Sequence, residues 1–213
     1  MVINRAMNKM IKNVFIFGII ALLIPLSACV KTESLQSLTV HVVWEGTPST
    51  RTAIQADGKA VWWSPSESIN LFYGSAYGGK FTSTNTEPAE EAQFTGTLIA
   101  LSGYSADANI TESYWAIYPY QESNAFDGNS VTLTVPAIQQ AASGTFANNL
   151  FPAIAKSSNT NLLFHNVCGG AVFVVATEGI KSVVFQSIGG EHLVGKVKVS
   201  LDTDGIPVID EVS

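Results

Sequence analysis

Few residues in this chain have the types and spacing that chemistry requires. Gly74-Ser75-Ala76-Tyr77-Gly78-Gly79-Lys80 matches the first seven positions of a phosphate-binding G-x-x-x-x-G-K loop. Such a loop next needs Ser or Thr to hold magnesium, and then a helix whose N-terminus receives the phosphates. Phe81 stands there instead, followed by Thr82-Ser83-Thr84-Asn85-Thr86-Glu87-Pro88, so the stretch reads as a glycine-rich surface turn. His41, His165 and His192 lack the short spacings that put two metal ligands on one element, and there is no H-E-x-x-H. His192, beside Glu191 in a Gly-Gly turn, reads as a solvated side chain, and the other two read as strand positions. Gly103-Tyr104-Ser105-Ala106-Asp107 lacks the second glycine of a nucleophile elbow, and no Ser-x-x-Lys is present. Glu90-Glu91 and Asp210-Glu211 sit in polar surface contexts, unlike the paired carboxylates of glycoside cleavage. The expectation is a protein that is not an enzyme, with no catalytic residue, metal site or cofactor.

The one side chain marked for covalent modification is Cys29. It closes the stretch Val14 to Cys29, in which a 13-residue apolar run, Val14 to Leu26, follows Arg5, Lys9 and Lys12. A positive start, a short apolar run and small residues before a break form a secretory signal, and the run is short for a bilayer span of roughly 20 residues. Leu26-Ser27-Ala28-Cys29 resembles the lipobox of bacterial lipoproteins, in which diacylglycerol is added to the cysteine sulfur and cleavage leaves that cysteine first. Residues 1–28 are therefore expected to be a lipoprotein signal peptide, and lipid on Cys29 to hold the exported chain to the outer membrane. Cys168 is then left without a disulfide partner. Between Val167 and Gly169 it reads as a small buried residue near a strand end.

These features must be carried by the remaining 185 residues, enough for a core that needs no staples. Without the signal, eight basic residues face 17 acidic ones, a net charge of −9, and no basic cluster exists to release phosphate counterions. Nucleic acid is thus excluded as a partner. Low total charge with many Thr, Ser, Gly, Val and aromatic residues fits short strands joined by polar turns.

Residues 29–36 read as a tether and residues 37–213 as one all-β domain. In Leu38 to Trp44, Leu38, Val40, Val42 and Trp44 share one face and Thr39, His41 and Val43 the other. Gly46 to Arg51 follows as an exposed, mobile loop, with Arg51 where a protease could reach it. Asp57-Gly58 predicts a hairpin from Thr52 to Trp63, with Trp62 and Trp63 pointing to opposite faces. Strands are predicted at Ser68 to Tyr73, Gln93 to Leu101, Tyr114 to Tyr120 and Val131 to Val135. Gly74 to Glu91 reads as turn-rich, anchored by Phe81, and Ala137 to Ser158 as an extended surface connection. A last block of strands is predicted to begin at Leu162 to Phe164. It continues through Ala171 to Ala176, Ile180 to Ile188, Leu193 to Leu201 and Ile206 to Ile209, at the turn spacing of a β-sandwich.

Aromatic residues supply a second functional option. If exposed, Trp63, Tyr73, Tyr77, Tyr104 or Tyr118 could form a flat platform for sugar rings, as on a glycan-binding outer-membrane surface lipoprotein. The competing role is core filling.

With these blocks in order, the chain resembles the fimbrillin-like lipoproteins, the subunits of type V pili in the Bacteroidales. The resemblance runs from Cys29 through Thr50-Arg51-Thr52, Asp57-Gly58-Lys59-Ala60-Val61-Trp62, Ile69-Asn70-Leu71-Phe72 and Tyr114-Trp115-Ala116-Ile117-Tyr118-Pro119-Tyr120. It continues through Val135-Pro136-Ala137-Ile138-Gln139-Gln140 and Ala155-Lys156-Ser157-Ser158 to Phe164-His165-Asn166-Val167-Cys168. It implies a transthyretin-like β-sandwich, carried to the outer membrane as a lipoprotein and cut in the loop after the first strand by an arginine-specific protease. Here the cut would fall between Arg51 and Thr52, and the lost strand would be Leu38 to Trp44. The opened groove would take an extended segment of the next subunit, so the implied partners are other pilus subunits and host or bacterial surface ligands. The resemblance covers the N-terminal domain. The family's second sandwich domain and C-terminal donor segment are expected to be absent from this sequence.

Overall fold

Period-two alternation of apolar and polar side chains builds the framework, because each strand can then turn one face to a core. The computed structural model describes residues 36–44, 62–101, 112–142, 145–146, 150–171 and 173–213, and every regular element among them is a strand. In chain order these are β1 (Gln36–Trp44), β2 (Ser68–Tyr73), β3 (Tyr77–Ser83), β4 (Glu91–Ala100), β5 (Tyr114–Tyr118), β6 (Ala125–Phe126) and β7 (Val131–Val135). Then come β8 (Ala141–Ala142), β9 (Thr145–Phe146), β10 (Ala153–Ser157), β11 (Asn161–Asn166), β12 (Gly195–Leu201) and β13 (Pro207–Val212). The all-β expectation holds. Its layers are a seven-stranded closed barrel in the order β1-β11-β10-β5-β2-β3-β4 and a four-stranded sheet, β13-β12-β7-β6.

Two apolar cores follow from this layering. Inside the barrel lie Val40, Val42, Trp63, Ile69, Leu71, Phe81, Phe94, Tyr118, Leu162 and Phe164. Phe72, Trp115, Ile117 and Ile154 belong to the second core, packed with Val131 and Leu133 of β7 and Val197 and Val199 of β12. Strands β2, β5 and β10 therefore bury successive residues rather than alternate ones. At about 1.5–3 kcal/mol for each large apolar side chain removed from water, these two cores are the main favourable term in the fold.

Polar contacts tie β2 of the barrel to the loop that leads into β6, and tie the four-stranded sheet within itself. Asn70 of β2 accepts from the Gln121 amide at 3.1 Å, and its side-chain amide donates to the Gln121 carbonyl at 3.1 Å. Asn124 donates to Asn70 Oδ1 at 2.8 Å and to the Pro119 carbonyl at 2.9 Å. In the turn between β6 and β7, Asp127 accepts from the amides of Asn129 and Ser130 and pairs with Lys198 of β12 at 2.7 Å. Burial pushes the Asp127 carboxyl up, but Lys198 and the Ser130 and Asn129 donors outweigh it and hold the group well below the usual carboxylate range.

Four stretches depart from the sequence reading. Gly74 to Glu91 contains a full strand, β3, because Gly78 and Gly79 serve close packing and only Gly74, at φ +52°, serves the turn. A Cβ on Gly79 would overlap the Thr97 carbonyl. The connection from Ala137 to Ser158 contains β8, β9 and the buried strand β10. The stretches Ala171 to Ala176 and Ile180 to Ile188, expected to be strands, form none among their described residues and leave their apolar side chains exposed. Cys168 lies just beyond β11 but is only half-buried, its thiol pushed up by burial.

Gly96 of β4 faces Phe81 across the β3–β4 pair, where an added Cβ would meet the Lys80 carbonyl and the Phe81 ring, the latter at 2.7 Å. Gly96→Ala is expected to lower unfolding free energy by about 1–3 kcal/mol through overpacking. Thr95→Ala, at the exposed neighbouring position, should change it by well under half of that. Equal midpoints for the two variants in urea would refute the close-approach account of this glycine.

Candidate functional site

The feature with the most capacity for function is the slot that β1 occupies. Its apolar alternation puts Val40 and Val42 wholly inside the barrel, with Leu38 and Trp44 packed against the same core. On one side β1 pairs antiparallel with β4 over eight positions, Gln36↔Leu98 to Val43↔Glu91. On the other it runs parallel to β11 over only four, His41↔Asn161 to Trp44↔Phe164. The His41 amide adds one further bond to the Thr160 carbonyl at 2.8 Å. His41 also pairs with Glu91 at 3.2 Å across the β1–β4 edge, on an exposed surface.

An aromatic cluster fixes the far end of the strand. Trp44 stacks on Trp63 with ring centroids 4.6 Å apart and an 18° interplanar angle. Phe94, Tyr118 and Phe164 surround Trp63 at 5.1, 5.4 and 5.4 Å, in edge-on geometry. Such pairs contribute roughly 0.5–1.5 kcal/mol each beyond the area they bury. The Trp63 backbone is held by a reciprocal pair of bonds to Ala89, at 2.6 and 3.0 Å. Removing β1 would take away one wall of this cluster and leave β4 and β11 with unpaired edges.

Glu67 lies beside the cluster and was not singled out by the sequence. It ends the Ser64–Glu67 turn, where Ser66 has φ +65°, and its carboxylate accepts from the Ser64 amide at 2.9 Å. The Tyr118 hydroxyl donates to its other oxygen at 3.0 Å. Only 6% of the residue is exposed. Desolvation raises its pKa from the ordinary 4.5 to about 7, against the opposing effects of the Ser64 amide and Tyr118 hydroxyl. A glutamate after Ser-Pro-Ser reads as turn surface, and no local pattern announces that a tyrosine 51 residues later will cover it.

The structure separates the residues singled out by sequence. Cys29, Arg51, Thr52, the Asp57-Gly58 hairpin and Tyr104 lie outside the described residues. Trp63 cannot be part of a sugar platform, because it is fully buried in the barrel core, as is Tyr118 at 1% exposure. Tyr73 and Tyr77 are half-buried against that same core, and Tyr73 packs on Tyr114 at 4.8 Å. The flat array of exposed rings that the sequence allowed is therefore not assembled around Trp63. Trp62 and Trp63 do differ in burial as expected. Gly74 to Lys80 forms the β2–β3 turn and the start of β3, a geometry with no helix N-terminus to receive phosphate. His41 is on β1, His165 on β11 and His192 is exposed. Among the described residues no three His, Cys, Asp or Glu side chains are grouped to hold a metal ion.

Compared with known proteins, the chain matches no family model, and neither a curated protein nor a solved structure is significantly similar to it.

Because the folded pKa of Glu67 is raised above its ordinary value, the native state keeps a proton that the unfolded chain releases between about pH 4.5 and 7. Its contribution is therefore full below pH 4.5 and is lost as pH rises through 7, a swing of at most about 3 kcal/mol. Glu67→Gln, which cannot ionise, should be more stable relative to the parent at pH 8 than at pH 5. A stability difference between the two proteins that does not vary with pH would show that Glu67 is not buried as described.

Proposed function

We propose that this chain is a structural subunit or anchor of a cell-surface pilus that mediates adhesion, exported as a lipoprotein and assembled by strand exchange without catalysis. The carrying observation is the setting of β1, an amphipathic first strand inserted between two strands of a barrel, with only four register pairs on its parallel side. A slot bounded by β4 and β11 offers main-chain donors and acceptors on both sides and apolar space vacated by alternate side chains. Those are the requirements for binding an extended segment of another chain. Arg51 follows the last residue of β1 by seven positions, so a cut there would sever β1 from the body of the fold.

In this reading Cys29 is the lipid attachment site, and acyl chains, at about 0.8 kcal/mol per buried CH₂, hold the precursor at the outer membrane. A stalk subunit would lose lipid and β1 together at the Arg51–Thr52 bond, and an anchor subunit would keep both. The alternative of a glycan-binding surface lipoprotein draws less support, since the tryptophan on which its platform centred is in the core.

Digestion of the folded mature protein with an arginine-specific protease is expected to cut after Arg51, and Arg51→Ala to abolish that cut. The cleaved body should release or exchange β1, capturing a synthetic peptide of residues 35–44, with a change in tryptophan emission as Trp63 loses Trp44. A body that resists cutting, or that keeps its own strand and refuses the peptide, would remove strand exchange from consideration. Cys29→Ala should shift the protein from the membrane to the soluble periplasmic fraction; unchanged membrane fractionation would refute the lipid anchor.

A further inference from the structure

Between Cys168 and β12 the chain displays an apolar surface that neither core uses. From Phe173 to Val194, ten Val, Ile, Leu and Phe residues are more than a third exposed, among them Val174 at 93%, Val184 at 86% and Ile188 at 104%. The stretch is folded back on itself. Gly179 turns it at φ +83°, and the Phe173 and Phe185 rings meet edge-on across the turn at 5.9 Å. A second turn at Gly190, φ +84°, is closed by Ser187, whose hydroxyl donates to the Glu191 carboxylate and accepts from the Glu191 amide. Two arms, residues 173–176 and 180–188, thus have strand composition and hairpin shape but no ladder. A hairpin alone is marginal in water, and three or more strands with a covered apolar face are needed to stabilise one.

We infer that residues 180–188 form the two-fold interface of a homodimer, pairing antiparallel with the same arm of a second copy about Val184. The order Ile180-Lys181-Ser182-Val183-Val184-Phe185-Gln186-Ser187-Ile188 is a palindrome of polarity. With Val184 on the axis, Val183 faces Phe185 and Ile180 faces Ile188 of the other copy, while Lys181 faces Ser187 and Ser182 faces Gln186. Every apolar residue meets an apolar one and every polar residue a polar one, which is the self-complementarity that an isologous contact requires. Each copy's 173–176 arm flanks the pair, so the assembly reaches four strands.

Area and charge agree with this occupant. Ten such side chains present on the order of 1,000 Å², above the ~400 Å² of an ordinary apolar patch and near the ~800 Å² per partner of a stable interface. Residues 171–194 carry Glu178 and Glu191 against Lys181, a net charge of only −1 within the −9 of residues 29–213, so like-charge repulsion across this face is small.

Sedimentation velocity of the unlipidated chain from Cys29 to Ser213 tests the pairing. The parent should show a concentration-dependent monomer–dimer equilibrium, and Val184→Lys and Val184→Glu should each weaken dimerisation by about tenfold or more, since like charges would face each other on the axis. Mixing these two variants should restore a dimer, because opposite charges then meet at the one self-facing position. Both changes are at an exposed site, so near-ultraviolet circular dichroism should stay that of the parent. The proposal is overturned by a parent that is monomeric at about 100 µM, or by Val184 variants that dimerise as the parent does. It is equally overturned by a mixture that fails to re-associate, or by a monomer that binds phosphatidylglycerol vesicles through this segment, which would identify a lipid surface as the occupant. None of these readouts involves Arg51 or loss of β1, so the pilus reading stands or falls separately.

Discussion

Trp63 lies flat against Trp44, and this stack joins the last residue of β1 to the segment leading into β2. Phe94, Tyr118 and Phe164 close around it from β4, β5 and β11, so one ring contacts residues from four strands of the barrel. The geometry leaves no room for Trp63 at the surface. It also couples the integrity of the core to β1 more tightly than that strand's short parallel pairing suggests. The same cluster sets the environment of Glu67, since Tyr118 both packs on Trp63 and donates to the carboxylate.

The second organising constraint is that β2, β5 and β10 are buried on both sides. A barrel strand facing only water outside would need polar alternate residues. Here Phe72, Trp115, Ile117 and Ile154 point out of the barrel and are covered by β7 and β12. The covering sheet is linked to the barrel by Asn124 and Gln121 to Asn70 and by Gln121 to the Thr134 carbonyl, and Lys198 to Asp127 braces the sheet internally. Lys156 completes the arrangement by lying 5.0 Å over the Trp115 ring.

What the sequence made legible follows from this layering. Strands β1, β4 and β7 alternate apolar and polar residues, and their inward faces could be read directly, although β1 and β4 each begin two residues before the expected start. Strand β10 could not, because Ala153, Ile154 and Ala155 are all buried and carry no period. Strand β3 was hidden by glycines that read as turn formers but serve the close approach of β3 to β4. Residues 173–188 erred in the opposite direction. Their β-branched and aromatic composition is that of a strand, but propensity yields a strand only where a partner supplies the ladder. The burial of Glu67 was beyond any local reading, since both its desolvation and its tyrosine partner come from the closed barrel.

The parallel seam between β1 and β11 also sets an order of events. Its partners are 120 residues apart in sequence, His41 with Asn161 and Trp44 with Phe164, whereas the β1–β4 partners are about half as far apart, from 48 residues for Val43 with Glu91 to 62 for Gln36 with Leu98. Closing the longer loop costs more chain entropy and waits on more of the polypeptide. A chain emerging from its N-terminus, from a ribosome or through a membrane pore, therefore holds β1 against β4 while the other side of the slot does not yet exist. Until β10 and β11 close the barrel, the sheet β1-β4-β3-β2-β5 is open with β1 at one edge and β5 at the other, and an unpaired β1 edge is a template for a competing strand.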